Sequence, residues 1–264
     1  MEHEATLRLV MFLSLFGLFA ALERISPKKT ADYSVRSRWL TNFSITILNT
    51  LILRALAIAL PFLAVGAAID ASAMGWGLFN ILDWPIVLEA VICILLFDFV
   101  IWLQHIITHK IPFLWRLHRV HHADVDFDVS TAIRFHPIEI ALSMILKIGI
   151  VYLLGPVAWA VVVFEILLNG SALFNHANLA IPARLDRWLS YIIVTPDMHR
   201  IHHSVRREEH NSNYGFALSI WDHFFGTYST LGPSENKEII VGLEWQDQRP
   251  TKLGWSLWLP FMRK

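Results

Sequence analysis

Residues 84–109 read WPIVLEAVICILLFDFVIWLQHIITH. The stretch 84–107 is apolar almost throughout, broken by Glu89, Asp98, Gln104 and His105, and is long enough to cross a bilayer as a helix. It runs into His105 and His109, which are four residues apart and therefore share one helix face. A membrane span that ends by presenting two imidazoles governs the reading of the rest of the chain. Upstream, residues 5–22 form an apolar run with no small-residue cleavage site after it, so a retained span is expected rather than a signal peptide. Residues 43–69 are expected as a second span, carrying Arg54 and a kink at Pro61. Downstream, 138–168 is interrupted by Gly155-Pro156 and reads as a tilted hairpin. The expected fold is all-α: a multi-pass membrane helical bundle of three full spans plus a helical hairpin, with a cytoplasmic histidine-rich helical cap. Residues 1–83 would form N-terminal membrane spans, 84–230 a catalytic unit including membrane spans, and 231–264 a C-terminal tail at the interface.

Composition agrees with a membrane protein. Of 264 residues 55% are apolar and only 17% charged, below the usual quarter, which excludes a disordered chain and disfavours a soluble enzyme. Lys+Arg 22 balances Asp+Glu 22, so no global positive field exists to hold nucleic acid. The single cysteine, Cys93, excludes an intrachain disulfide and any cysteine-based zinc ribbon or iron–sulfur site. The loop between the first two spans carries Arg24, Lys28, Lys29, Arg36 and Arg38, whereas residues 70–83 contain no Lys or Arg. The positive-inside rule then predicts that the histidine-bearing end of the third span is cytoplasmic.

Thirteen histidines are present, and most fall into arrays: His105-x3-His109, His118-x2-His121-His122, His199-x2-His202-His203 and the single His176. Helical spacing lets each array aim two or three imidazoles at one point, and Pro112 breaks the first helix so that the first two arrays can converge. Imidazole suits zinc, copper, iron and nickel, and eight or nine such ligands exceed the needs of one ion, which predicts two metals. His3, His210 and His223 read as surface or hydrogen-bonded residues. Metals held by neutral rings call for carboxylates nearby. Asp98, on the face of His105 and His109, and Asp197, beside His199, are candidates to support the ligands, as are His136 and Asn169. Asp222 is a further candidate, while Asp124, Asp126 and Asp128 read as a solvated loop.

With these arrays stand Arg134-Phe135-His136-Pro137-Ile138-Glu139, Asn175-His176-Ala177-Asn178, Asn213-Tyr214-Gly215, Trp221-Asp222 and Phe225-Gly226-Thr227. Together, over roughly residues 90–230, they resemble the fatty acid hydroxylase / sterol desaturase superfamily of integral-membrane, histidine-ligated di-iron oxygenases. The resemblance implies His105, His109, His118, His121, His122, His199, His202 and His203 as metal ligands, with His176 as a ninth. Some relatives carry another histidine where this chain has Ala172, which leaves the ligand split between the metals open. It also implies two Fe ions (zinc able to replace them in overexpressed protein), dioxygen, a separate electron-donor protein, and a lipid or sterol-like substrate from the membrane. The alternatives are a lipid desaturase with the same centre and, in another class, a non-redox metal-binding or transport protein. Transport would want ionisable residues along a path through the bilayer, whereas the histidines gather on one side.

Two geometric expectations remain. Folding the hairpin at Gly155-Pro156 brings Lys147 and Glu165 to similar depth, where isolated charges are costly, so they should pair. Glu165, Asn169, Ala172 and His176 form one helix stripe, as do Asp98, His105 and His109. The two stripes should face each other across the metals.

Overall fold

A computed structural model describes residues 3–59, 63–82, 84–230 and 239–262. The expected kink at Pro61 lies outside them. The first half holds α1 (Glu4–Ile25), α2 (Val35–Ala59), α3 (Ala64–Met74), the single turn α4 (Leu78–Ile81), α5 (Ile86–Lys110) and α6 (Pro112–His122). The hairpin follows as α7 (Pro137–Leu154) and α8 (Ala158–Asn175). Short helices complete the cap: α9 (Ala183–Leu189), α10 (Pro196–His202), α11 (Arg207–His210), α12 (Ile220–Phe224) and α13 (Leu253–Trp258). Five helices among the described residues are long and apolar enough to cross a membrane, namely α1, α2, α5, α7 and α8. The chain is an all-α, multi-pass membrane bundle.

The expected span 43–69 is instead two helices. α2 begins at Val35, eight residues early, because Arg38, Thr41 and Asn42 in its first turns are buried in polar contacts with Asp124 and Thr251. α3 is a separate eleven-residue helix whose Ala64, Ala67, Ala68 and Ala71 are buried. These small residues at i, i+3, i+4 and i+7 let it pack closely on α7 and α8. α3 ends at Gly75 in the left-handed conformation, φ 67°. Gly77, with φ 97°, then meets the hairpin turn, where a Cβ would lie 2.3 Å from the Gly155 nitrogen. Gly155 is itself left-handed, at φ 61°, so the hairpin turns where its Gly-Pro pair marked it.

The acidic run 124–128 corrects another expectation. Asp124, Asp126 and Asp128 are buried, not solvated. Arg38 explains this: its Nε donates to Asp124 at 2.7 Å and its Nη1 to Asp128 at 2.6 Å. Burial works against the Asp124 charge, yet Arg38 holds its pKa down at about 2. Asp126 instead accepts the backbone N–H groups of Asp32 and Tyr33. Arg134, fully buried, donates to the Val120 and Pro250 carbonyls and to the side chains of Asn42 and Ser256. It thereby ties α2, α6 and the C-terminal segment together beneath the cap.

Lys147 and Glu165 pair at 3.1 Å, as their depth requires, and Arg8 of α1 donates to the same carboxylate. Replacing Glu165 by Gln should leave two cations without their shared partner and cost about 3 kcal/mol. Thermal unfolding in nanodiscs should show the loss, and adding Lys147→Met should recover part of it. Equal melting temperatures for wild type and Glu165→Gln would show that the cluster contributes nothing to stability.

Candidate metal centre

Local sequence explains how four segments deliver imidazoles to one place. α5 runs to Lys110, Ile111 turns extended at φ −89° and ψ 117°, and Pro112 opens α6 at a position that tolerates its missing N–H. α10 likewise starts on Pro196 with Thr195 as its cap, the Thr195 hydroxyl accepting from the Met198 N–H. His176 follows α8 directly as its C-cap.

The eight histidines of the three arrays, with His176, form two clusters. His105, His109, His118, His122 and His202 make one, and His121, His176, His199 and His203 the other, with ligand atoms inside each cluster within 4.8 Å of one another. Each i, i+3, i+4 array is therefore divided, rather than aimed whole at one point. The i and i+4 residues, His118 with His122 and His199 with His203, stay together, while His121 and His202 cross to the other cluster. Adjacent positions on a helix point about 100° apart, so neighbours such as His121 and His122 serve different centres.

Hydrogen bonds fix the tautomers. The Nδ1–H of His105 donates to the Tyr214 carbonyl at 2.7 Å, that of His202 to the Ser212 carbonyl at 2.7 Å, and that of His176 to the Ala172 carbonyl at 2.8 Å. His118 Nδ1 lies 2.6 Å from the Glu139 carboxylate. Neutral rings so bonded carry no proton on Nε2. Yet His105 Nε2 is 3.0 Å from the Nε2 atoms of both His118 and His202. His176 Nε2 is likewise 3.1 Å from those of His121 and His199. The facing lone pairs of His105 and His202 repel at this distance unless a cation lies between them, and around His176 the Nδ1 atoms of His121 and His199 are buried without a partner. Nitrogens that shared one ion at about 2.0–2.1 Å would lie about 3–3.5 Å apart. Both ring nitrogens of His109 and His122 are also buried without hydrogen bonds, which is costly for groups that are not bound. The residues present therefore fit two metal ions.

Burial, with mutual repulsion among the rings, lowers the pKa values of His121, His122, His199, His202 and His203 well below the ordinary 6.5. Burial brings His176 down to about 3. The rings are neutral at physiological pH, as ligands must be.

The proposed supporting residues are placed elsewhere. Asp98 accepts from the Trp221 indole at 2.8 Å and the Leu218 N–H at 3.3 Å. His136 caps α7, its Nδ1 accepting from the Ile138 N–H, with Nε2 3.3 Å from the Leu257 carbonyl. Asn169 donates to the Glu165 carbonyl, and Asp197 pairs with Lys28 at 2.7 Å. Among the described residues Glu139 is the carboxylate bonded to a clustered ring, and helix spacing alone does not single it out. Its signal was a carboxylate in the first turn of the helix opened by His136-Pro137, an end that α6 faces. Asp222 acts one step away: it accepts from the N–H groups of Tyr214 and Gly215 and so sets the turn whose carbonyl holds His105. Gly215 allows that turn, because a Cβ there would lie 2.7 Å from Val194. His210, read as a surface or hydrogen-bonded residue, is buried with its Nδ1 3.1 Å from the Ser204 carbonyl and its ring stacked 5.2 Å from Trp115.

A cavity of about 520 Å³ leads from His105, His118 and Glu139 between the spanning helices to Arg8, Lys147 and Glu165. Asn169 and Ala172 line it too, so the Glu165 stripe faces this cavity.

His109→Ala and His121→Ala should each lower metal content from about two ions per chain to about one, since they belong to different clusters. Glu139→Gln should weaken metal retention about 10–100-fold, read by competition with a chelator. Metal analysis finding one ion in wild type, or two in both alanine variants, would contradict the division. In the metal-free protein the rings stay neutral when folded and titrate near 6.5 when unfolded. The unfolded state then binds more protons below that pH, so the rings' contribution to stability should be constant above about 6.5 and fall progressively as pH drops toward about 3. Melting temperature against pH checks the sign.

Comparison with known proteins agrees with this geometry. An ornithine lipid hydroxylase of Rhizobium tropici is 28% identical over 226 residues, covering 83% of this chain and 66% of that protein. Human alkylglycerol monooxygenase is 28% identical over 151 residues, 55% of this chain and 31% of its own. A cholesterol 25-hydroxylase-like protein of Danio rerio is 25% identical over 245 residues, 86% and 94% of the two chains. The chain thus spans about two-thirds of the first and under a third of the second. No solved structure matches it. The fatty acid hydroxylase family pattern matches residues 90–227, the stretch that carries all nine clustered histidines, and the chain belongs to that family.

Proposed function

We propose that the protein is an O2-dependent membrane di-iron monooxygenase that hydroxylates a C–H bond of a lipid or sterol-like substrate. The observation that carries this reading is the set of unprotonated Nε2 atoms opening, at His105 and His118, onto a cavity between membrane helices. Relatives named as hydroxylases and monooxygenases of lipids support it. In this reading His105, His109, His118, His122 and His202 hold one iron and His121, His176, His199 and His203 the other. The catalytic unit is residues 84–230, and the electrons come from a separate donor protein.

An unactivated C–H bond offers no acid–base handle, so the bound metals supply the redox chemistry with dioxygen. The chain supplies position. The carbonyls of Tyr214, Ser212 and Ala172 and the Glu139 carboxylate hold four rings in the tautomer that ligates, as outer partners do in metal sites. Phe135 stacks on His121 at 4.2 Å between ring centroids, and Ala172 and Phe216 line the cavity beside His105. These side chains exclude water from the end where the reacting carbon would rest. Asp98 and Asp197 act through the segments they tether, Asn169 and the Glu165 cluster line the substrate path, and His136 holds the start of α7. The histidine side is the cytoplasmic one in this reading, supported by the basic loop after α1, where Lys28 meets Asp197 just before His199.

Lipid profiling of cells with and without the protein, grown aerobically with iron, tests the reading. Wild type should generate lipids carrying one added oxygen atom, and His121→Ala or His202→Ala should abolish them while still inserting into the membrane. A loss of two hydrogens in place of an added oxygen would support the desaturase. An unchanged lipidome from iron-loaded protein would overturn both.

A further inference from the structure

Not all of the apolar surface belongs to the spanning helices. In the cap, Leu185, Trp188, Tyr191, Ile192, Phe224 and Phe225 are exposed, Trp188 by 76% and Phe224 by 80%. They come from two segments that are joined. The Ser219 N–H donates to the Ile192 carbonyl at 3.1 Å, His223 Nε2 to the Ser190 carbonyl at 2.9 Å, and the Tyr191 and His223 rings stack at 5.7 Å. The result is one aromatic face, flanked by the exposed Arg184 and Arg187 of α9.

Its depth follows from what it rests on. Phe225 stacks on Trp102 of α5 at 4.7 Å, and Trp221 packs edge-on against Phe99 at 5.1 Å. The Trp221 indole donates to Asp98, and the Trp102 indole donates to Asp222 at 3.0 Å. Trp102 precedes the end of α5 at Lys110 by eight residues, about 12 Å along the axis. Asp98 is about 18 Å below that end, near the middle of a helix of bilayer-spanning length. The α12 segment is therefore pinned against the membrane-embedded part of α5 and not above it.

We propose that this aromatic face lies within the leaflet on the histidine side, at the boundary of headgroups and acyl chains. Continuity with α5 selects lipid over a protein partner, because a protein would have to displace the bilayer around Trp102 to reach the patch. Aromatic rings with flanking arginines suit that boundary: the rings occupy the interfacial layer while the guanidinium groups reach the headgroups. The cap is thus anchored in the membrane by its own surface as well as by the spans, which sets the metal centre at headgroup depth.

Single cysteines at 188, 191 and 224, in a Cys93→Ala background, test this without reference to enzymatic activity. Each would carry an environment-sensitive fluorophore in protein reconstituted into phosphatidylcholine–phosphatidylglycerol nanodiscs, with Glu208→Cys, on the charged and exposed α11, as the aqueous control. The three probes should emit to the blue of the control, lose most of their intensity to lipids spin-labelled near the headgroup, and resist iodide in solution. Substituting exposed side chains leaves the core intact, and metal content reports folding of each variant. Should one site fail that check, the other two decide. Probes as open to iodide as the control, with no quenching by lipid, would overturn the proposal and make the face available to a protein instead.

Discussion

Repulsion among unprotonated imidazole nitrogens is the constraint on which this structure turns. Three Nε2 atoms converge around His105 and three around His176, in surroundings too dry to stabilise their charged forms. Without a cation, both clusters leave desolvated ring nitrogens unpaired, and around His105 lone pairs also face one another. The surrounding chain is arranged to prevent relaxation. Backbone carbonyls grip Nδ1 atoms on three rings, Pro112 and Pro196 open the helices that carry two arrays, and Arg134 and Arg38 lock the segments behind them.

The second organising feature joins the membrane half to the cap. Asp98 and Trp102 of α5 exchange hydrogen bonds with Trp221 and with Asp222, and Asp222 in turn orders Tyr214 and Gly215. A chain of contacts therefore runs from the middle of a spanning helix to the ring of His105 without Asp98 touching a metal-facing atom. Asp98 thus holds the segment that carries Asp222, and Asp222 the turn whose carbonyl bonds His105.

Which parts were legible in the sequence follows from range. Helix faces are local, so His105 with His109, and the pairing of Lys147 with Glu165 across a Gly-Pro turn, could be read from spacing. The division of each array followed the same 100° step between neighbours, but it needed the partner helices to show which centre each neighbour faces. Burial of Asp124, Asp126 and Asp128 was hidden because Arg38, about ninety residues earlier, supplies the compensation. Its neighbours read as loop, so the early start of α2 was hidden for the same reason. Glu139 illustrates the remaining limit: a first-turn glutamate is commonplace, and only the approach of α6 gives it His118 as a partner.

The ligand set has an electrostatic consequence. Two divalent ions held by nine neutral rings would keep nearly all of their charge, with Glu139 the carboxylate in direct contact with a ring. Asp124 lies beyond, but Arg38 spends its charge. Net charge is among the factors that set metal potentials, and a centre poor in anionic ligands favours the lower oxidation state. The acidic residues at 98, 124, 126, 128 and 222 are abundant around the centre, yet each is engaged by an arginine, an indole or backbone N–H groups. The fold uses most of its carboxylates to build the walls and leaves the clusters to imidazole, with Glu139 the carboxylate that reaches a ring where the cavity opens.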